Sequence, residues 1–219
     1  MKNIGLIGCG NIAETYFRAQ EYFNNINFVA CADINLDAAK KTADQYNIIP
    51  LSVDEILNDK NVDIILNLTI PQAHYEISKR ALEANKHVYC EKPMSVKFDE
   101  AKELLNLAKK NSLYIGNAPD TFLGGGGQLT RNLIDNNDIG QVLTGNFIFA
   151  FPGVQDFHPS PESWFQEGGG PVIDMGPYFF TTLVNLLGPV KNIRGRGAKF
   201  SDKREYKAGP KKGETFNVE

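Results

Sequence analysis

The sequence is poor in the residues and runs that mark several large classes of protein. Its 219 residues include three cysteines and three histidines, without the close spacing of a disulfide framework or a zinc site. The formal net charge of −3 creates no field that would attract nucleic acid or an anionic membrane. No apolar run reaches the roughly 18 residues of a membrane-spanning helix. We therefore expect no metal site, no nucleic-acid partner and no membrane association.

What is present is typical of a folded globular protein. Hydrophobic residues make up 42% of the chain and charged residues 22%, which is enough apolar material for a core. The cysteines, Cys9, Cys31 and Cys90, lie in or beside apolar runs, which favours small buried side chains over reactive thiols. After Met1 and two polar residues the chain enters a strand pattern rather than a signal peptide, so the expected compartment is the cytoplasm.

The first 120 residues alternate strand and helix patterns. Asn35 is the expected N-cap of one helix, and Ser52 with Glu55 has the spacing of a capping box that starts another. This alternation predicts right-handed βαβ units in a doubly wound parallel sheet, which is an α/β fold. Strand patterns cover residues 3–9, 28–33, 48–51, 62–68, 87–90 and 114–116, and longer helix patterns cover residues 11–23, 36–46, 73–84 and 98–110.

The pattern changes after residue 120. A run of four glycines is followed by a helix pattern, a Phe-rich alternating strand pattern and a loop rich in Pro and Gly, which together cover 124–171. A helix pattern at 172–187, an extended run at 190–200 and a polar tail at 201–219 complete the chain. We expect two domains, 1–120 and 121–219, the second an α+β domain on a mostly antiparallel sheet. About two strands make a marginal sheet, so this second domain is expected to be incomplete.

A glycine-rich turn follows the first predicted strand. It has the pattern G-x-G-x-x-A, in which Gly8 permits a tight turn and Gly10 allows backbone N–H groups to approach a pyrophosphate. Ala13 is small enough for close packing of helix on strand, and Asn11 and Ile12 open the helix whose positive end faces the phosphates. The pattern therefore predicts a Rossmann-type dinucleotide site. The alternatives are a turn without a ligand and a methyltransferase loop of similar shape.

An acidic residue, Asp33, ends the second predicted strand. A carboxylate in this place accepts hydrogen bonds from the adenosine ribose hydroxyls. It also repels a 2′-phosphate, and no arginine follows it directly, so NAD is favoured as cofactor and NADP is the second possibility.

A charged pair, Glu91 and Lys92, follows the predicted strand 87–90 and precedes Pro93. Ligands of open α/β sheets bind beyond the carboxyl ends of the strands, so both residues are candidates for the cofactor site. Lys92 can also donate a hydrogen bond to a substrate hydroxyl and favour its alkoxide. The alternative is a solvated surface pair before a proline turn.

Several motifs together resemble the signature of the Gfo/Idh/MocA oxidoreductase family. One is the segment 84–94, which reads Ala-Asn-Lys-His-Val-Tyr-Cys-Glu-Lys-Pro-Met, and a second is the pair Thr69 and His74. The third is the segment 168–178, which reads Gly-Gly-Gly-Pro-Val-Ile-Asp-Met-Gly-Pro-Tyr and is similar to a motif of the family's second domain. These elements occur in the family's order from residue 3 to about residue 200.

The resemblance implies an NAD(P)-dependent dehydrogenase that acts on a secondary alcohol of a sugar, a polyol or a related compound. The family lysine corresponds to Lys92, which is implied to contact the reacting hydroxyl. The family's acid/base position corresponds to Tyr178, where many members have histidine and a subset has tyrosine, and Asp174 corresponds to an aspartate one helical turn earlier. The stretch with Thr69 and His74 is implied to lie beside the nicotinamide.

The residue types suit these roles. Asp174 and Tyr178 are four residues apart on the predicted helix 172–187, so both are expected on one face. A neighbouring ammonium such as that of Lys92 favours the ionised form of a phenol, which can then take the hydroxyl proton. The alternative for Tyr178 is a core aromatic, because two phenylalanines follow it. In the loop 152–171, His158 and Trp164 are candidates for substrate contacts, with a solvated histidine and a loop anchor as the alternatives.

Members of the family that the chain resembles are longer by more than a hundred residues. We therefore expect dinucleotide binding to persist and turnover by these 219 residues to be weak. The second-domain sheet is expected to form a homo-oligomer, a dimer or a tetramer. The competing hypotheses are a non-catalytic NAD(P)-binding module that acts through a partner and an enzyme of another class on the same fold, such as a methyltransferase.

Overall fold

The computed structural model of the chain describes residues 1–166 and 169–219. The chain forms two compact units, residues 1–118 and residues 119–219. Among the described residues, no helix is both long enough and apolar enough to cross a membrane.

The first unit is built on a parallel sheet of six strands. The strands are β1 (Lys2–Ile7), β2 (Ile26–Ala32), β3 (Ile49–Pro50), β4 (Ile64–Asn67), β5 (His87–Cys90) and β6 (Ile115–Asn117). Their order across the sheet is β3-β2-β1-β4-β5-β6, and every neighbouring pair is parallel. This order confirms the predicted doubly wound fold. The strand order reverses between β1 and β4, and the crevice beyond their carboxyl ends is where such folds bind ligands.

Five helices connect these strands. They are α1 (Ala13–Ala19), α2 (Leu36–Tyr46), α3 (Val53–Asn58), α4 (Pro71–Glu83) and α5 (Phe98–Lys110). The Asn35 side chain accepts hydrogen bonds from two backbone N–H groups of α2, and Ser52 with Glu55 forms a complete capping box on α3. Both predicted caps are confirmed. Helix α1 is shorter than the predicted 11–23, because it ends at Ala19 and continues only as a 3₁₀ turn, Gln20–Tyr22.

Two clusters of buried apolar side chains form the core of the first unit. One includes Ile56, Leu82 and Leu104, and the other includes Leu6 and Phe28. The central strands contribute residues to both clusters, which is why the run at 62–68 is almost continuously apolar rather than alternating. The sheet is therefore a fixed platform on which the loops at its carboxyl edge are held.

Helices supply most of the regular secondary structure of the second unit among its described residues. It contains α6 (Gly125–Asp135), α7 (Gly170–Asp174), α8 (Gly176–Leu187) and an antiparallel pair, β7 (Lys203–Glu205) and β8 (Thr215–Asn217). The strands predicted at 142–151 and 190–200 were wrong: these segments are not assigned as strands, and no described strand pairs with them. Apolar alternation produces a strand only where a partner supplies the other half of the hydrogen bonds.

The strand pair of the second unit lies in the polar tail 201–219, for which the sequence pattern predicted no strand. Two aromatic residues explain the difference. Tyr206 and Phe216 are buried, and their ring centroids are 4.8 Å apart in an edge-on arrangement. This cross-strand aromatic contact stabilises the short hairpin despite its charged surface.

The predicted continuous helix 172–187 is also wrong, because Met175 separates α7 from α8. Pro177 supplies the reason. It has no backbone N–H to donate to the carbonyl of Ile173, and its ring disfavours helical geometry in the residue before it. Asp174 therefore ends one helix and Tyr178 lies in the first turn of the next, so the argument from one continuous helical face does not hold.

Replacement of Leu104 by alanine should destabilise the first unit strongly. Its side chain is fully buried in the core beneath α5, so Leu104→Ala should lower the free energy of unfolding by about 2–5 kcal/mol. The neighbouring Leu105 is 51% exposed on the same helix and provides the matched control. Leu105→Ala should change stability by less than about 0.5 kcal/mol, as measured by urea denaturation. Equal losses for the two variants would contradict the placement of α5.

Candidate functional site

The turn after β1 brings two backbone segments into close contact at Gly8. Gly8 has a φ of +103° and its N–H donates to the carbonyl oxygen of Ala32 at 2.9 Å. A Cβ atom at this position would lie 2.6 Å from the carbonyl carbon and oxygen of Leu68. Both the backbone angle and the available space therefore require glycine, because only glycine adopts this φ without strain.

Gly10 differs from Gly8, because a Cβ atom built on it would meet no atom within 4 Å. The fold of the chain alone therefore does not require glycine here. Asn11 and Ile12 are exposed beside it, whereas Ala13 is 3% exposed and packs into the core. The space next to the Gly10 backbone is open, which is the feature that lets a pyrophosphate approach the backbone in dinucleotide-binding turns.

Asp33 braces the same turn from the end of β2. One carboxylate oxygen accepts the Cys9 N–H at 2.7 Å, and the other accepts the Asn35 N–H at 2.8 Å. A carboxylate oxygen can accept more than one hydrogen bond, so these two contacts leave further acceptor capacity. Asp33 thus combines a structural role in the turn with the acceptor set that a ribose diol needs.

A buried polar residue, Asn67, organises the end of β4. It is fully buried, its amide donates to the His74 carbonyl and the Ser78 hydroxyl at 3.0 Å, and its oxygen accepts the Thr69 hydroxyl at 2.7 Å. The sequence interpretation missed this residue. The signal for it in the sequence was a single amide side chain inside an otherwise apolar strand. A buried strand tolerates such an amide only when the amide has hydrogen-bond partners.

His74 connects two loops of the site. It is 1% exposed, with Nε2 2.9 Å from the Thr69 carbonyl oxygen and Nδ1 2.6 Å from the Pro93 carbonyl oxygen. Both ring nitrogens therefore face backbone carbonyl groups. Its contacts join the loop after β4 to the loop after β5.

The loop that carries Lys92 is held by hydrogen bonds from Tyr16 and Asn117 and by one within the loop itself. The Tyr16 hydroxyl donates to one Glu91 carboxylate oxygen at 2.8 Å, and the other oxygen accepts the Lys92 N–H at 2.9 Å. The Asn117 amide donates to the carbonyl oxygens of Cys90 and Glu91, both at 3.0 Å. Lys92 itself is half-buried. Tyr16 and Asn117 were not predicted as site residues, because their partners are far away in sequence.

In the second unit, some of the predicted residues lie around one cavity of about 540 Å³. Asp174 and Trp164 line this cavity together with several phenylalanines. His158 packs on Trp164, with ring centroids 4.5 Å apart, and its Nδ1 accepts the Ser160 N–H at 3.1 Å. Tyr178 is half-buried in the first turn of α8. Gly168, the first glycine of the segment 168–178, lies outside the described residues.

Comparison with family models gives a match in each unit. Residues 2–117 match the model described as oxidoreductase family, NAD-binding Rossmann fold, of the GFO/IDH/MocA group. Residues 128–215 match a GFO/IDH/MocA C-terminal domain. The first match covers more than half of the chain and includes the loops that follow β1, β2, β4 and β5.

Individual relatives support the same assignment. The chain is 28% identical over 162 residues to D-xylose dehydrogenase from Paenarthrobacter nicotinovorans, which covers 72% of the chain and 42% of that protein. It is 30% identical over 146 residues to inositol 2-dehydrogenase from Salmonella typhimurium, covering 64% of the chain and 43% of that protein. A crystal structure of an NAD-binding oxidoreductase from Klebsiella pneumoniae superposes with a TM-score of 0.81 at 25% identity, covering 100% of the chain and 60% of that structure.

The chain spans only part of such proteins. It covers 40% and 39% of the length of two uncharacterised oxidoreductases of Schizosaccharomyces pombe, to which it is 33% and 30% identical.

Replacement by alanine should lower the stability of the protein at Gly8 but not at Gly10. Gly8→Ala should lower the free energy of unfolding by more than about 1 kcal/mol, because it adds both a clash with Leu68 and an unfavourable positive φ. Gly10→Ala should change it by less than about 0.5 kcal/mol, because its Cβ meets open space. Thermal or urea unfolding of both variants provides the measurement. Equal stability of the two would show that the turn is not packed against the end of β4.

Proposed function

The chain belongs to the Gfo/Idh/MocA family of oxidoreductases, and on this basis we propose that it binds NAD(H) and transfers hydride to or from a secondary alcohol of a sugar, polyol or related compound. One observation carries the proposal. Loops after four parallel strands bring the glycine turn, Asp33, Thr69 and the Glu91-Lys92 pair to the same carboxyl edge of the sheet. This is the edge at which doubly wound sheets bind nucleotides.

The dinucleotide would be held by groups from all four of these loops. Backbone N–H groups of the turn around Gly10, Asn11 and Ile12 would contact the pyrophosphate. Asp33 would accept hydrogen bonds from the adenosine ribose and disfavour a 2′-phosphate, which makes NAD the preferred cofactor. The loop with Thr69 and the loop with Glu91 would border the nicotinamide, and His74 would act on both through the carbonyl groups that it contacts.

Lys92 and Tyr178 are proposed to handle the proton of the reacting hydroxyl. The nicotinamide, when bound, accepts or supplies the hydride. The Lys92 ammonium would donate a hydrogen bond to the substrate oxygen and so favour its alkoxide form. Tyr178 would take the hydroxyl proton as the phenolate during oxidation, and as the phenol it would donate that proton during reduction. Asp174 corresponds to the family's aspartate near the acid/base position. The cavity that it lines with Trp164 is a candidate for part of the substrate pocket, with His158 packed on Trp164.

The position of Lys92 depends on its neighbours. Tyr16, Asn117 and His74 hold the residues on either side of Lys92 through hydrogen bonds to Glu91, Cys90 and Pro93. These contacts limit the freedom of the loop before a substrate arrives. A pre-positioned ammonium loses less entropy in the transition state than a mobile one, so these residues are expected to support turnover without touching the substrate.

A second candidate function is a non-catalytic dinucleotide-binding module that acts through a partner. One observation favours it. In the second unit, Phe147, Ile148, Phe149 and Phe151 are 43–89% exposed on a segment that no described strand pairs with. Such a surface suits association with further protein, including a homo-oligomer. The two functions differ in whether hydride transfer accompanies binding.

The Gly10→Ala variant tests the cofactor site without disturbing the fold. Its Cβ would enter the space assigned to the pyrophosphate, so the Kd for NADH should rise about tenfold or more while the unfolding midpoint stays at the wild-type value. Isothermal titration calorimetry measures the affinity. Gly145→Ala is a matched control, since a Cβ at Gly145 also meets nothing within 4 Å but lies outside the turn. Unchanged NADH affinity in Gly10→Ala would remove the turn from the site.

Hydride transfer is tested with a panel of polyols and sugars that includes inositol and D-xylose, at enzyme concentrations close to that of NAD⁺. The wild-type chain should form NADH with at least one of them. Tyr178→Phe and Lys92→Met should each lower the rate about 100-fold or more, because each removes a group that moves or stabilises the proton. Tyr114→Phe is the control, since Tyr114 is 81% exposed.

Two results would count against this assignment. Full activity in Tyr178→Phe or Lys92→Met would contradict the roles of these residues. Absence of NADH formation with every compound, together with intact NADH binding, would favour the non-catalytic module.

A further inference from the structure

Two of the three cysteines meet beneath the dinucleotide turn. Cys9 lies between Gly8 and Gly10, is half-buried, and packs against the core cluster that contains Cys31. Its Sγ is 3.7 Å from the carbonyl oxygen of Ala32, the residue that follows Cys31 on β2. Cys31 is fully buried, and its Sγ is 3.3 Å from the carbonyl oxygen of Ala39. Cys9 is therefore a partly exposed thiol of the turn, and Cys31 is a buried thiol of the cluster against which it packs.

The surroundings of the pair make its two sulfurs unequal. Hydrogen bonding with the Cys31 side chain, and then with the Thr42 side chain, lowers the pKa of Cys9 despite partial burial and the nearby Asp33 carboxylate. The same hydrogen bond, followed by burial, raises the pKa of Cys31 far above its usual range. A thiolate rather than a thiol is the nucleophile, so Cys9 is the cysteine that reacts first and Cys31 is the resolving cysteine.

Cys90 shows what a buried cysteine looks like without such a pair. It is fully buried in the core, and burial raises its pKa to about 12. It matches the original expectation of a small buried side chain. Cys31 is fully buried as well, whereas Cys9 departs from that expectation because it is partly exposed.

We propose that Cys9 and Cys31 form an oxidisable dithiol at the base of the dinucleotide turn, and that hydrogen peroxide converts it into a disulfide that weakens dinucleotide binding. The effect on binding rests on the cofactor site proposed above, whereas formation of the disulfide does not. The modification site is thus separate from the residues assigned to hydride transfer.

The reaction balances in two steps. The Cys9 thiolate attacks one peroxide oxygen, the O–O bond breaks, and the products are a Cys9 sulfenic acid and hydroxide. The Cys31 sulfur then attacks the Cys9 sulfur, the S–O bond breaks, and the thiol proton leaves with the hydroxyl group as water. The hydroxide takes up the proton that the Cys9 thiol released on ionisation. Two thiols are thus oxidised by two electrons in total, and one peroxide is reduced to two waters.

The disulfide must displace the turn rather than the strand. A disulfide bond is about 2 Å long, much shorter than the separation of two sulfurs in van der Waals contact. Cys31 is fixed in β2, where it pairs with Leu6 in the ladder. Cys9 therefore has to move, and its N–H, now 2.7 Å from the Asp33 carboxylate, moves with it. This shifts both the turn and the carboxylate that the dinucleotide would contact.

The proposal is tested by treating the purified chain with hydrogen peroxide, blocking free thiols with iodoacetamide and mapping peptides by mass spectrometry. We expect a Cys9–Cys31 cross-linked peptide, with Cys90 recovered as a thiol. Cys9→Ser and Cys31→Ala should each abolish the cross-link, and Cys90→Ala should leave it unchanged. If Cys31→Ala does not fold, Cys9→Ser alone still tests the pairing, because its remaining thiols would be Cys31 and Cys90.

Binding is measured on the same samples by calorimetry with NADH. The oxidised wild type should show an increase in Kd of about tenfold or more, reversed by dithiothreitol, and NADH present during oxidation should slow the cross-link. Peroxide should leave the affinity of Cys9→Ser unchanged. Failure to form the Cys9–Cys31 cross-link would overturn the proposal whatever the cofactor, as would a complete cross-link with unchanged NADH affinity. No NADH binding by the reduced protein, with the cross-link still formed, would instead contradict the proposed cofactor site and with it the effect on binding.

Discussion

The close approach of the turn after β1 to the end of β4 is the constraint on which the candidate site depends. At Gly8 the two backbones are so near that a single Cβ atom would overlap the Leu68 carbonyl group. Because β1 and β4 are neighbours at the point where the strand order reverses, this contact sets the width of the crevice between them. The remaining loops of the site are arranged around this fixed point.

Those loops are held by side chains from other elements of the first unit rather than by their own sequence. Asp33 reaches from the end of β2 to the glycine turn, and Asn67 and His74 connect the loops after β4 and β5. Tyr16 and Asn117 complete the support of the Lys92 loop. Buried hydrogen bonds of this kind are costly to leave unmade, so each loop restricts its neighbours and the whole edge of the sheet is preorganised.

Local signals made much of the first unit predictable. The parallel strands ended within a few residues of the expected positions, and the caps at Asn35 and Ser52 were visible because capping depends on neighbours three residues apart. The break at Met175 was readable from Pro177 but was outweighed by the apolar periodicity on either side. The hydrogen bonds of Asn67, His74 and Asn117 could not be read, because they join residues that only the fold brings together. In the second unit, alternation at 142–151 predicted a strand without revealing whether a partner strand exists.

The central claim is that the first unit is a dinucleotide site with a preference set by Asp33. It is tested most directly by titrating the chain in parallel with NADH, NADPH and S-adenosylmethionine in a calorimeter. The account predicts one binding site that takes NADH, weaker binding of NADPH because a 2′-phosphate would meet the Asp33 carboxylate, and no binding of S-adenosylmethionine. Binding of S-adenosylmethionine without binding of either dinucleotide would contradict it.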